Sequence, residues 1–437
     1  MKLKEPTKTQ FKEDFKRGLG SSYVQLKDSN NREKYRDIVL WCCIHNTCYD
    51  MQCEGGRGSF LYNAISLFED KSFFEEAIIQ RFMWKNIENW LFDQLCELLY
   101  LFSLDGSTKA REALHTKYNR LLELVFHKRD RDQAENLEWL STWLTSLDGF
   151  NGFKNMAQQF GEYAFKNTDG WSMDWFYSNA KNKFGAKRVD MYLQKNATKS
   201  PYIQSFLESV SDQRIQHRSD DPPLTLATLL AAAERRQSRG LGIRFAKVAT
   251  DNDLIELAKY AMAETNPLIK LELLWAFRKV RFPLEENWVF ELAESDHPEL
   301  RDIAFDMLVH LPSDRTHDYA IRLISEQKEL ENALHLLCYC YRNEDEELLF
   351  KGIQSLDISY DEGGWHSVFM SIEHLLDNRS FKISPALCIY IYRQTLCSIC
   401  RNRLIQKMFE RNMLPPAILE ECLYDSYEDL RRWARRK

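Results

Sequence analysis

Apolar residues in this chain recur three and four positions apart along most of its length, and strict apolar–polar alternation is nearly absent. That is the period of an α-helix, in which positions i, i+3, i+4 and i+7 share one face. A first amphipathic helix is predicted over 33–48, with Tyr35, Ile38, Val39 and Cys42 on its apolar side. A loop over 50–57 follows, then helices near 59–68, 71–84 and 86–102. The last is apolar on nearly every side (Trp90, Leu91, Leu95, Leu98, Leu99, Leu101) and so must be buried. Asp105-Gly106-Ser107 stops it and caps the next helix, 108–127. Three more are predicted at 136–147, 153–166 and 173–183.

Between 212 and 223 the chain turns polar and closes on Pro222-Pro223, the clearest internal boundary. Beyond it the predicted helices fall into pairs: 224–236 with 243–249, 253–264 with 267–280, 288–294 with 298–311, and 318–326 with 330–341. A loop at 359–364 precedes a helix over 365–376. Ser384-Pro385 then reads as a cap followed by proline in the first turn. The final helix, from about 416, carries its acids early and its basic residues late, as the helix dipole favours. Three stretches are therefore expected: an irregular helical region (1–211), a linker (212–223) and a regular region (224–437).

One phrase is written twice in the regular region. Asn266-Pro267-Leu268-Ile269-Lys270 opens an apolar run through Leu273, Ala276 and Phe277, and 31 residues later His297-Pro298-Glu299-Leu300-Arg301 opens another through Ala304 and Leu308. A helical repeat of this length marks an α-solenoid, whose units cannot bury their apolar faces alone. The segment Asp296-His297-Pro298-Glu299-Leu300-Arg301-Asp302-Ile303-Ala304, with Leu308, resembles the HEAT-repeat family and its HEAT-like relatives. An acid in the turn, a basic residue five positions on, then Ala and Leu inside are that family's pattern. The 265–277 segment repeats it with Lys270 for Arg301, although Thr265 stands where the acid belongs. The resemblance is clearest over 224–341. It implies an all-α fold, an α-α superhelix of antiparallel helix pairs, used mainly for holding other macromolecules.

Composition agrees with long helices and short loops. Glycine (16) and proline (11) are scarce, and 44% hydrophobic residues supply a core. A net charge of −6 advertises no general affinity for nucleic acid or membrane. Charge is uneven, however: residues 181–199 hold six Lys/Arg against one acid, Asp190, and the 431–437 tail is basic throughout. That tail is expected to be a solvated terminus completing the last helix's dipole. With eleven cysteines, no N-terminal apolar segment and no run long enough to span a membrane, a cytoplasmic protein is expected.

Three segments carry candidate chemistry. Cys42, Cys43, His45, Cys48 and Cys53 are zinc-type ligands at short spacing, but Cys42 and Cys48 stand ~9 Å apart along a helix, too far for one ion. Core cysteines are the expectation there and at Cys397 and Cys400, with no metal and no cofactor. The loop around Gly55, Gly56 and Gly58 clusters glycine in a chain that avoids it, beside Asp50, Glu54 and Arg57. An inter-helix turn braced by Arg57 is the favoured reading, and a small anion-binding site the alternative. Third, Trp171, Asp174 and Trp175 precede the basic strip containing Lys187 and Arg188, which suits stacking and phosphate contact. Core tryptophans beside a solvated lysine face are the plainer account.

No HExxH, GxSxG or P-loop motif is present. The expected function is therefore non-enzymatic: a scaffold or adaptor docking a macromolecular partner, protein before nucleic acid and not a membrane, on the concave face of the solenoid. Lys270, Arg278, Arg301 and Asp302 on the second helices are candidate contacts, with Lys270 and Arg301 equally suited to an internal ladder. The alternative is a nucleic-acid-binding or DNA-repair (glycosylase-like) solenoid using Trp171, Asp174 (its candidate catalytic residue), Trp175 and the 181–199 strip. A nucleic-acid groove would gather its basic clusters on one face with the tryptophans; a protein scaffold would scatter them.

Overall fold

Among the described residues every regular element is a helix, as the periodicity predicts. The computed structural model describes residues 7–27, 32–126, 128, 130–167, 173–211, 224–358 and 364–437. The expected linker 212–223, most of the 359–364 loop and Trp171 lie outside them. No helix among them is long and apolar enough to cross a membrane. The contacts divide the chain into two units: Met1–Ser219 with Leu396–Asn402 and Pro415–Lys437, and Asp220–Thr395 with Arg403–Leu414. The C-terminal boundary thus differs from the expected one, because two short segments beyond residue 395 pack with the first unit.

In the first unit the all-apolar stretch forms the helix Asn89–Leu104, burying Leu91, Leu95, Leu98 and Leu99. Glu88 starts it, accepting the backbone N–H groups of Trp90 at 2.8 Å and Leu91 at 2.9 Å. The two helices predicted at 136–147 and 153–166 run end to end within Ala134–Lys166, broken at Gly149 (φ 69°, ψ −156°). The second half lies directly on Pro201–Ser211: a Cβ on Gly161 would stand 1.8 Å from the Tyr202 carbonyl. Only glycine permits that approach. Phe153 and Phe160 then reach Phe176, with ring centroids 5.7 and 5.2 Å away, so the core here is largely aromatic.

The segments beyond residue 395 close on the start of the same unit. Ser426 donates its backbone N–H to the Gly18 carbonyl at 2.8 Å, and a Cβ on Gly20 would lie 1.8 Å from the Glu421 carbonyl. Arg401 grips Asp425 with both arms of its guanidinium, at 3.0 and 3.2 Å, and both side chains are 0% exposed. Two charges so far from water hold each other by geometry rather than by net energy.

The second unit is regular. First helices Asp251–Ala263, Glu286–Ala293, Asp314–Glu326 and Glu346–Gln354 alternate with second helices Pro267–Leu274, Pro298–Leu308, Leu330–Tyr339 and Gly364–Asp377. Pro267–Leu274, Pro298–Leu308 and Leu330–Tyr339 each pack on their own first helix and on the next second helix, the stacking of an α-α solenoid. Local chemistry sets the starts. Thr250 and Asp253 form a reciprocal capping box, Asn266 accepts the Leu268 N–H at 3.0 Å ahead of Pro267, and Ser313 accepts that of Thr316 at 3.2 Å. Arg301 donates to the Ser295 carbonyl at 3.0 Å and pairs with Glu329 of the next repeat at 3.0 Å. Lys270 lies over the Trp288 ring, 5.7 Å from its centroid.

Removing one member of the buried pair strands the other. Arg401→Leu is predicted to lower stability by about 3–5 kcal/mol, and Arg401→Leu with Asp425→Leu to recover part of the loss. Urea midpoints of the three proteins check this; a single variant as stable as wild type would refute it.

Candidate binding face

The glycine loop turns inward. Asp50 caps the short helix Met51–Glu54, accepting the N–H groups of Gln52 at 2.9 Å and Cys53 at 3.3 Å. Gly55 takes a positive φ of 76°. Gly56 and Gly58 are small for a different reason: a Cβ on either would lie 2.8 or 2.4 Å from the Glu97 carboxylate. Glu97 needs that space, because it accepts the N–H groups of Gly58 at 3.0 Å and Ser59 at 2.9 Å at the next helix start. Arg57 is 3% exposed and donates to the carbonyls of Lys16, Thr47 (2.8 Å) and Leu396 (3.2 Å), with Glu54 at 3.7 Å. Glu54 in turn accepts from the Ser398 N–H at 2.9 Å and hydroxyl at 2.6 Å. Arg57 therefore spends its donors within the protein as a brace.

The cysteine cluster is core except for Cys53, which is exposed on the short helix Met51–Glu54. Cys42 and Cys43 are fully buried on Arg36–Cys43, and burial pushes the Cys42 thiol up to about 12 and that of Cys48 to about 11. Thiols held neutral in this way are poor ligands and poor nucleophiles. His45 turns away to stack on Trp41 at 4.3 Å, its Nδ1 2.8 Å from the Trp41 carbonyl. Cys397 and Cys400 are likewise buried.

The third segment does reach a surface. Asp174 stands in the first turn of Asp174–Phe184, and Trp175 is 46% exposed beside Trp139, with centroids 6.5 Å apart. Trp139 belongs to the stripe Glu135–Trp139–Trp143, four-residue steps along one helix face. Trp143 packs against Tyr100 at 5.2 Å and donates its indole N–H to Asp93 at 2.6 Å. Glu135 is exposed and accepts from Asn89 at 2.6 Å. Glu138, one turn along, accepts the Phe176 N–H at 2.9 Å. Three adjacent helices thus present aromatic rings interleaved with carboxylates. Burial pushes the Glu138 carboxyl up to about 7, with Asp174 and Glu135 adding repulsion against the lowering pull of the Phe176 N–H. An adjoining cavity of about 670 Å³ is lined by Thr142, Ser146, Asn179 and Lys183.

Lys187 and Arg188 of the basic strip gather elsewhere in the unit, although Lys183 lines that cavity. Lys187 and Arg188 are exposed on Ala186–Ala197, and the Arg188 guanidinium covers the Phe150 ring at 4.2 Å. Lys154 joins them, 5.3 Å from Phe150 and 5.7 Å from Tyr192. Lys181 is tied to Asp190 at 3.2 Å. Carboxylates, not these lysines, accompany Trp139 and Trp175. The expected tail is partly anchored: Arg431 donates to the Ser426 carbonyl at 2.7 Å, while Arg432 pairs with Glu428 at 2.9 Å.

In the second unit the polar positions of the second helices bind one another. Arg278 pairs with Asp306, Asn332 donates to Asp302 at 3.0 Å, and His335 meets Ser371 at 2.6 Å. Between the rungs lies a groove of about 550 Å³ lined by Trp275, Arg278, Glu299, Asp302, Ile303 and Asp306. Arg278 and Arg239 flank the Trp275 ring at 4.3 and 5.5 Å. The acids at 93, 135 and 138 escaped sequence reasoning, although the four-residue step from Glu135 to Trp143 is a readable signal.

The Glu138 carboxyl has a pH signature. Its folded pKa of about 7 lies above the ordinary 4.5, so its contribution to stability is full below about pH 4.5 and is lost as pH rises through 7. Glu138→Gln keeps an acceptor for the Phe176 N–H and removes the titration. The variant is predicted to lose less stability than wild type between pH 5 and pH 7.5 in thermal unfolding, and equal losses would contradict the assignment. No protein-family model and no curated protein matches this chain.

Proposed function

We infer that this protein is a non-enzymatic scaffold or adaptor, built of HEAT-like repeats and working in the reducing cytoplasm, that holds a protein partner on the faces of its inner helices. The observation that carries the reading is the separation of charge in the first unit. Trp139 and Trp175 are accompanied by Glu135, Glu138 and Asp174, whereas Lys187, Arg188 and Lys154 collect around Phe150. A phosphate backbone laid on the tryptophans would meet carboxylates at close range, which opposes binding. The mixed-sign groove around Trp275 in the second unit fits the same reading, since aromatic and arginine anchors with paired charges are common in protein recognition. No disulfide links any of the eleven cysteines in the structure, as suits a reducing compartment.

A second reading retains one supporting observation. Lys187, Arg188, Lys195 and Lys199 are exposed within a short stretch, enough for electrostatic contact with nucleic acid. Purification of the full chain from its native cell extract, with and without nuclease, separates the two. A stoichiometric protein that survives nuclease is the expected result. Recovery of nucleic acid instead, lost at moderate salt and in Lys187→Glu with Arg188→Glu, would overturn the scaffold reading and justify testing Asp174 for catalysis.

A further inference from the structure

We propose that the aromatic and acidic face of the first unit is the docking surface for an arginine- and lysine-rich extended segment of a partner protein. The proposal rests on the reading of the protein as a protein-binding scaffold and adds the chemistry of what is bound. Three helices build the face. Asn89–Leu104 supplies Tyr100 and Asp93, Ala134–Lys166 supplies Glu135, Trp139 and Trp143, and Asp174–Phe184 supplies Asp174 and Trp175.

Two kinds of group recur side by side on it. Indole rings present negative π faces to a cation: Trp175 is 46% exposed, Trp139 lies 6.5 Å from it, and Trp143 fixes its own ring by bonding Asp93 at 2.6 Å. Carboxylates stand next to them, with Glu135 exposed and Asp174 partly exposed. Guanidinium is the group that answers both at once, since it stacks on an aromatic face and donates in a fork to a carboxylate. The chain uses the same pairing internally, where Arg278 covers Trp275 at 4.3 Å while bonding Asp306. Two basic side chains of the neighbouring strip are engaged elsewhere: Lys181 with Asp190 at 3.2 Å, and Arg188 with the Phe150 ring at 4.2 Å. Among the described residues Glu135 is met by the Asn89 amide and neither it nor Asp174 forms an ion pair, which leaves their charge for a ligand to balance. Lys183, at the rim of the adjoining cavity, sets one edge where a cationic segment must leave.

The test is fluorescence anisotropy of a labelled peptide of alternating arginine and glycine, titrated with the full chain at low and moderate salt. Saturable binding that weakens as salt rises is expected, with no binding of the matching glutamate–glycine peptide. Trp175→Ala, and separately Glu135→Gln with Asp174→Asn, are expected to weaken it by about tenfold or more. Circular dichroism confirms that these surface variants remain folded. Lys187→Glu with Arg188→Glu should leave binding intact. Failure of the wild-type chain to bind the peptide, equal binding by the face variants, or displacement by a single-stranded oligonucleotide that itself needs Trp175 would each overturn the proposal. The two readings fail separately. A purified protein partner that binds the face variants as tightly as wild type would sink this surface and spare the scaffold. Peptide binding at the face, with only nucleic acid recovered from extract, would sink the scaffold and spare the surface.

Discussion

Two buried guanidinium groups converge on one carbonyl, and the first unit is organised around that point. Arg57, from the glycine loop, and Arg401, from beyond the regular repeats, both donate to Leu396, at 3.2 and 2.8 Å. Arg57 also ties in Lys16 and Thr47, and Arg401 ties in Asp425 and Ser426. Segments hundreds of residues apart therefore share one network in which every donor has a carbonyl, hydroxyl or carboxylate to meet. Such a network specifies its arrangement more than it stabilises it, because each charge was costly to bury and is tolerable only in this geometry. Two of the three glycines nearby follow from the same requirement. Without Cβ atoms at 56 and 58 the Glu97 carboxylate can sit on the start of Gly58–Ile65, which fixes where Arg57 points.

The second unit is held by a more repetitive device. Caps at Thr250 and Ser313 start two of the first helices and prolines start two of the second, and polar side chains join successive repeats side to side. Arg301 with Glu329, Arg278 with Asp306, and Asp302 with Asn332 are rungs of one ladder. Three of the four side chains singled out as partner contacts thus have a structural partner, and the fourth, Lys270, sits on Trp288. A ladder of this kind leaves recognition to the rings and apolar side chains between its rungs.

The helices were legible because their signals are local. The cap at Ser384, the break between the halves of Ala134–Lys166, and the burial of Asn89–Leu104 all follow from neighbours within a few residues. The glycine loop was legible as special, and bracing by Arg57 was the favoured account. What it braces was not: Leu396 is remote in sequence, and no periodicity points to it. The aromatic and acidic face was half visible. Trp175 and Asp174 stand out in the sequence, but Asp93, Glu135 and Trp139 join them only when three helices are laid side by side. Lys187 and Arg188 of the basic strip lie by Phe150 rather than by the tryptophans, since adjacency along the chain is not adjacency on a surface.

The closing of the first unit upon segments beyond residue 395 bears on how the chain is made. During synthesis, residues 7–211 emerge long before Leu396, Arg401 and Asp425 exist to complete their network. Until then Arg57 lacks its Leu396 acceptor, and Gly18 and Gly20 lack the segment that covers them. The regular repeats in between depend on near neighbours and can assemble as they emerge, a low-contact-order process. The part translated first is thus the part finished last. Loss of a few residues around Asp425 would be felt at Arg57 and Arg401, not merely at the end of the polypeptide.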